Sequence, residues 1–311
     1  MLYVLRRVTA VLPVMGVVAV VAFLLIHLAP GDPAALIAGD MATTDQIAAL
    51  RSSLGLDQPL ATQFALWLQR LVQGDLGVSI FTQAPVLQLL AQRLEPTLSI
   101  AGLTMLLALG VSLPLGVAAA HFAGRWIDRA VMLLAVTAFS VPVFLVGYLL
   151  IQVFSVGLHW LPVQGYAPLS EGAGPWLRGL VLPCVNLALV YIALLTRMTR
   201  ATVLEVLHED YIRTARAKGL GTLAVLRHAL RNAAVPIATT VGAGVALLIG
   251  GVVVTETVFG IPGIGRLVID SVQRHDYPVI QGVLFVAAGA YVFVNLLVDL
   301  SYRLFDPRIR F

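Results

Sequence analysis

Six apolar runs organise this chain, and polar intervals of unequal length separate them. The runs lie near 8–29, 97–120, 131–156, 179–196, 234–255 and 279–298, and none contains Asp, Glu, Lys or Arg. A helix rises about 1.5 Å per residue and a bilayer core is about 30 Å thick, so about 20 residues cross it. A charge at mid-membrane costs ~2.5–3.5 kcal/mol on insertion scales. Charge-free runs of this length therefore predict six spanning helices and an all-α integral membrane protein. The polar intervals that matter are a long segment at 30–95 and a basic loop at 199–233. Neither leaves room for a large soluble domain, so residues 1–311 read as one transmembrane domain.

Within the long segment the pattern changes to short amphipathic helices. Thr43 and Gln46 have capping-box spacing and Gly55 follows, which predicts a helix near 44–54. Pro59 suits a helix start, Leu60, Phe64, Trp67, Leu68 and Leu71 share one face, and Gly74 suits the stop. A third helix is expected from Pro85 to Glu95. Pieces of this kind can lie on the membrane surface, cap the outer mouth, dock a soluble partner or simply pack on the bundle.

The basic loop reads as two more helices. Glu209-Asp210-Tyr211-Ile212-Arg213-Thr214-Ala215-Arg216-Ala217-Lys218 carries acid at its start and base toward its end, which complements a helix dipole. Leu207, Tyr211 and Ala215 are spaced by four and predict one apolar face, and Gly219-Leu220-Gly221 breaks the helix. Thr222 is a candidate cap for the next helix, with Leu223, Leu226 and Leu230 opposite Arg227 and Arg231, before Pro236 opens the fifth run. Two helices at an angle, joined to two spans, form a lever that can carry a push into the bundle. A basic loop that merely anchors topology explains the same residues on physics alone.

Charge then orients the chain. The composition is 59% hydrophobic and 12% charged, about half the charged share of an average soluble domain, ~25%. With the N-terminus inside, 14 of the 20 Lys and Arg fall on the cytoplasmic side and six outside, three of those in the long 30–95 segment. The positive-inside rule therefore places both termini in the cytoplasm. The net charge of +4 gives no nucleic-acid face, because the basic residues sit at the ends of apolar runs. Arg6-Arg7 precede an apolar run of about 22 residues, longer than a signal-peptide core, which predicts a retained first helix. The single cysteine, Cys184, excludes an internal disulfide framework and reads as a packing residue. Pro13, Pro114, Pro142 and Pro183 fall inside the runs, and Gly242, Ala246 and Gly250 recur every four residues as a smooth stripe for close helix packing.

A family resemblance gives the loop a role. The run from Asp210 to Leu220, with Arg227-His228-Ala229-Leu230-Arg231-Asn232 and Pro236 after it, resembles the signature loop of ABC-importer permeases. It is most similar to the branch that imports dipeptides, oligopeptides and nickel. Ala215 and Gly219 keep the generic spacing, while Arg213 and Thr214 replace its Glu and first Ala, as in the peptide branch. Ala29-Pro30-Gly31-Asp32-Pro33, Leu54–Pro59, Gly74-Asp75-Leu76-Gly77, Glu256–Arg266, Asp276-Tyr277-Pro278 and Asp306–Arg310 also resemble the family, in family order. The likeness is closest to the first of the two permeases such systems usually encode.

The resemblance implies a six-helix, type I ABC-importer permease fold with residues 209–219 as the coupling helix. It implies a second permease subunit, two ATPase subunits that bind ATP and Mg, and a periplasmic or lipid-anchored binding protein. ATP would then drive alternating access. The sequence agrees on one requirement. Its only lysine, Lys218, precedes Gly219 and Leu220, so the chain has no phosphate-binding Gly-x-x-x-x-Gly-Lys-Ser/Thr loop. No catalytic role is expected, and Ser140 and Thr196 have no obvious acid–base partners.

Asn186, Gln152, Glu256, Gln281 and Asn295 are the polar residues in or beside the spans, and they are candidates for a substrate path. Interhelical hydrogen bonding is the plainer role for them. Asp299 and Arg303 have pairing spacing. His27, His121 and His159 are far apart, and no metal-ligand spacing is evident. Peptide is the expected cargo, with nickel, glutathione, opines or oligosaccharides as alternatives on the same machinery. A stand-alone secondary transporter is the reading from another class; it would need coupling-ion residues in the spans and often internal repeats.

Overall fold

The computed structural model describes residues 2–28, 33–38, 42–53 and 55–305. It consists of helices: α1 Leu2–Leu28, α2 Pro33–Ala38, α3 Thr44–Ser53, α4 Leu60–Val72, α5 Val86–His121, α6 Trp126–Ser140, α7 Val143–Leu150, α8 Ala173–Leu207, α9 Asp210–Ala217, α10 Thr222–Asn232, α11 Ala234–Val258, α12 Ile264–Gln273 and α13 Tyr277–Phe305. Among the described residues there is no strand, only an isolated bridge between Val78 and Pro85. Stretches of α1, α5, α8 and α13 are each long and apolar enough to cross a membrane, and two bent helix pairs bring the number to six.

The span expected at 131–156 is broken in two at Pro142. Trp126–Ser140 and Val143–Gly157 meet at 99°. Pro142 is the residue before α7, and Val141 ahead of it is extended, the conformation a following proline favours. The second piece ends as a π-helical stretch, Ile151–Gly157. Pro13, Pro114 and Pro183 lie inside unbroken helices instead. A second difference concerns Pro85–Glu95. Those residues do not form a separate outer helix; they are the opening turns of α5, which continues through Pro96. In α11, the halves Ala234–Val245 and Leu247–Val258 meet at 45°.

The chain divides into two compact units, residues 1–94 with 267–292, and residues 95–266 with 293–311, so α5, α12 and α13 contribute to both. In the first unit, the predicted capping box opens α3. Gln46 N–H donates to Thr43 Oγ1, and Thr43 N–H donates to Gln46 Oε1. Phe23 of α1 meets Phe64 and Trp67 of α4 at ring-centroid distances of 5.2 and 5.9 Å. The buried carboxylate of Asp276 accepts bonds from Ser79 Oγ and the backbone of Ile80, which fixes the turn before α5.

In the second unit α8 is the central post. Fifteen of its 35 residues are buried, and it packs against α6, α7 and α11. Close approach depends on glycine. A Cβ at Gly116 would lie 2.6 Å from Thr199 Cβ and 2.9 Å from the backbone oxygen of Thr196. Gly116→Ala should therefore force α5 and α8 apart, and overpacking of this kind costs about 1–3 kcal/mol. A fall in melting temperature of the detergent-solubilised chain, absent in the neighbouring exposed-site control Leu115→Ala, measures it. The glycine stripe expected on α11 is used in part. Gly242 faces Val298 of α13, Gly251 faces Leu187 of α8, and Gly250 has open space. The side chain of Ala246 lies outside the described residues, as do Ala29–Asp32, the 306–310 motif and the Arg303 side chain expected to pair with Asp299.

Candidate coupling site

The basic loop folds as two short helices set against the ends of longer ones. α8 runs eleven residues past the expected end at 196, to Leu207, and stops where His208 donates its backbone N–H to Glu205 O and its Nδ1 to Leu204 O. Glu209 is extended and begins α9. Asp210 lies in the first turn of α9 and Arg216 in the last, matching the helix dipole. Arg213 donates to Asp210 across 3.2 Å, and both side chains are largely exposed. An exposed pair of this kind contributes little. Gly219 ends α9 in the left-handed region at φ +85°, with Leu220 N–H on Ala215 O. That conformation strains any residue with a Cβ.

Ile212 is the single fully buried side chain of α9, with 0% exposure. It sits in a cluster with Ala120 of α5, Val203 and Leu207 of α8, Val225 and Ala229 of α10, and Ile237 of α11. Ile212 thereby joins α9 to a buried cluster to which α5, α8, α10 and α11 also contribute. The apolar face differs from the expected one. Leu207 is buried at the end of α8, but Tyr211 is exposed and Ala215 only half-buried. The reason is the turn at His208, which ends the i, i+4 register between α8 and α9. On α10, Val225 and Ala229 face inward with Leu226 and Leu230 partly covered, while Leu223 is 83% exposed. Gly221, not Thr222, occupies the cap position, and no side chain caps α10.

Tyr211 ties α9 to α10 by a second link, accepting a 2.8 Å bond from Asn232 Nδ2. Although its ring is largely exposed, partial desolvation first, and then the charge of Glu209, raise the pKa of this phenol against the opposing bond from Asn232. Outward, α9 and the turn after it present Arg213, Arg216, Ala217, Lys218, Gly219 and Leu220 to solvent. The result is a basic surface with apolar points, on a peg seated in the bundle.

The proposed path residues fall in both units: Gln281 belongs to the first, and Gln152, Asn186, Glu256 and Asn295 belong to the second. Asn186 is 1% exposed, and neither atom of its amide finds a hydrogen-bond partner among the described residues; Gly147 leaves it room, since a Cβ there would lie 3.3 Å from Nδ2. Gln152 is exposed on the π-helical stretch, and Asn295 is half-buried on α13. Gln281 is buried in the first unit and donates to Ala22 O. Glu256 has become a structural clasp. It is 0% exposed, accepts from Thr97 Oγ1 at 2.6 Å and from Arg266 N–H at 2.9 Å, and Ile264 N–H donates to the same Thr97 hydroxyl at 2.8 Å. A Cβ at Gly263 or Gly265 would overlap its carboxylate. The motif Glu256–Arg266 carries no local sign of its partner Thr97, 159 positions away. The Asp128–Arg200 ion pair between α6 and α8 was also missed, for the same reason of distance in sequence.

Two family models match all of the chain except residues 102–111. "Binding-protein-dependent transport system inner membrane component" matches residues 112–311, and the model for the N-terminal part of such membrane components matches residues 1–101. The chain belongs to this family. It is therefore a permease subunit of an ABC importer, with the type I importer fold, and a multi-pass protein of the inner membrane. The permease is 52% identical over 310 residues to a probable peptide ABC transporter permease of Sinorhizobium fredii, covering 99% of both chains. It is 45% identical over 309 residues to a putative peptide transport system permease of Brucella abortus, covering 99% of this chain and 98% of that one. A glutathione transport system permease of Salmonella typhi is 44% identical over 310 residues, covering 99% of both.

Proposed function

We propose that this permease imports di- and oligopeptides by alternating access, driven through α9 by separate ATPase subunits that hold ATP and Mg. The observation that carries the mechanism is the seating of Ile212. A displacement of α9 must disturb the buried cluster that Ile212 shares with residues of α5, α8, α10 and α11, or withdraw Ile212 from it, and packed interiors transmit strain rather than absorb it. ATP binding would bias a two-state bundle, and hydrolysis would reset it. Glu209 to Gly219 form the coupling element, with both termini on the same cytoplasmic side. The remaining partners are a second permease, two ATPase subunits and a substrate-binding protein outside.

The cargo class rests on the relatives. Two carry peptide transport in their names and a third carries glutathione, which is itself a tripeptide. The test is reconstitution of the permease with its ATPase, partner permease and binding protein in proteoliposomes. Arg216→Glu reverses an exposed charge on α9 and should cut ATP-dependent peptide uptake at least about tenfold, as losing an interfacial charge contact does. Membrane insertion should be unaffected. Unchanged uptake, or uptake by the permease alone without ATP, would sink the proposal.

A further inference from the structure

The first unit contains a cavity of about 390 Å³ that the coupling mechanism does not use. Phe23 and Gln281 are buried at its floor, Trp67 and Leu76 form walls, and Arg70 and Asp75 are exposed at its rim. Its size falls in the range of small-molecule sites, about 300–1,000 Å³. Its position is specific. Phe23 lies near the end of the apolar stretch Val11–Leu28, and Gln281 lies near the start of Tyr277–Leu300. The cavity therefore opens where hydrocarbon gives way to headgroups.

α4 closes one side, and it is an amphipathic helix with no fully buried residue. Such helices lie in the membrane interface with their apolar face toward acyl chains. The polar groups of the interior are occupied. His27 Nε2 and Gln63 Oε1 bond to each other at 3.1 Å, Gln63 Nε2 donates to Leu56 O and Gln58 O, and Gln281 Nε2 donates to Ala22 O. What remains inside is largely apolar. At the rim, the Arg70 guanidinium has no partner among the described residues. Asp75 spends one carboxylate oxygen on Gly77 N–H, and its backbone N–H donates to Arg70 O, so the two side chains spring from adjacent backbone.

We propose that this cavity holds an acyl chain of a phospholipid with a zwitterionic, amine-bearing headgroup, its phosphate on Arg70 and its ammonium on Asp75. A cation alone would favour any phospholipid, whereas a cation beside a free carboxylate oxygen selects a headgroup carrying both charges. The bound lipid would fill the space between α4 and the ends of α1 and α13, and would hold α4 at the membrane surface.

The full-length permease, incubated with vesicles of equal phosphatidylethanolamine and phosphatidylglycerol and then released from mild detergent, can be weighed by native mass spectrometry. One retained lipid per chain is expected, with the ethanolamine form favoured about fivefold, as for a partly exposed ion pair. Asp75→Asn should bring the two lipids to parity without loss of binding. Leu66→Trp, which fills the cavity mouth, should remove the retained lipid. Should Leu66→Trp fail to keep wild-type helicity, the Asp75→Asn comparison decides alone. Equal retention of both lipids by the wild type, no retained lipid at all, a well-folded Leu66→Trp that still holds its lipid, or displacement of the lipid by a dipeptide would each overturn the proposal.

Discussion

Replacing Ile212 with alanine will leave the permease inserted and assembled but will uncouple ATP hydrolysis from transport. The side chain is 0% exposed and is the only fully buried contact α9 makes. Large-to-small changes at buried aliphatic sites cost about 2–5 kcal/mol. In a short surface helix that loss falls on one joint rather than on the whole bundle, so α9 should loosen while the spans keep their packing. The readout is the ratio of peptide moved to ATP hydrolysed in proteoliposomes, which should fall at least about tenfold, since each 1.4 kcal/mol is a factor of ten. Ile212→Leu, which nearly conserves volume, should retain most of the coupling. Equal loss in both variants would mean that the seat is not what carries the motion.

Glu256→Ala will be the more damaging change for the fold of the second unit. It removes the acceptor shared by Thr97 Oγ1 and Arg266 N–H inside a site with no exposure. Each buried donor left unpaired costs about 1–3 kcal/mol. Glu256→Gln keeps one carbonyl acceptor and should lose less. Gly263→Ala should resemble Glu256→Ala, because a methyl group at 263 collides with the carboxylate from the other side. Thermal unfolding of the solubilised permease should rank wild type, Glu256→Gln, then Glu256→Ala. If Glu256→Ala unfolds like the wild type while peptide uptake alone suffers, the residue contacts cargo and is not a clasp.

Much of the fold was legible because a membrane makes helix length and charge exclusion unusually informative. The capping box at Thr43 and Gln46 was readable for a local reason, since both partners lie within one turn. Reading failed where the deciding partner was remote or where a local turn reset the register. The turn at His208 rotated Tyr211 outward and made Ile212 the anchor. Pro142 was visible as a helix breaker, but the 99° change of direction depends on what α7 packs against. In the candidate path, composition marked Asn186, Gln281 and Glu256 as unusual without telling a clasp from a lining. The difference lies in partners such as Thr97 and Ala22, far away in the sequence.

Lys218, exposed at the end of α9, carries the only side-chain amine in the chain. Amine-directed reagents therefore have one lysine address on this subunit, set on the surface proposed to meet the ATPase. A lysine-reactive cross-linker or a covalently attached dye would report on the neighbour of α9 and on its movement through the cycle, with no engineered label in the permease.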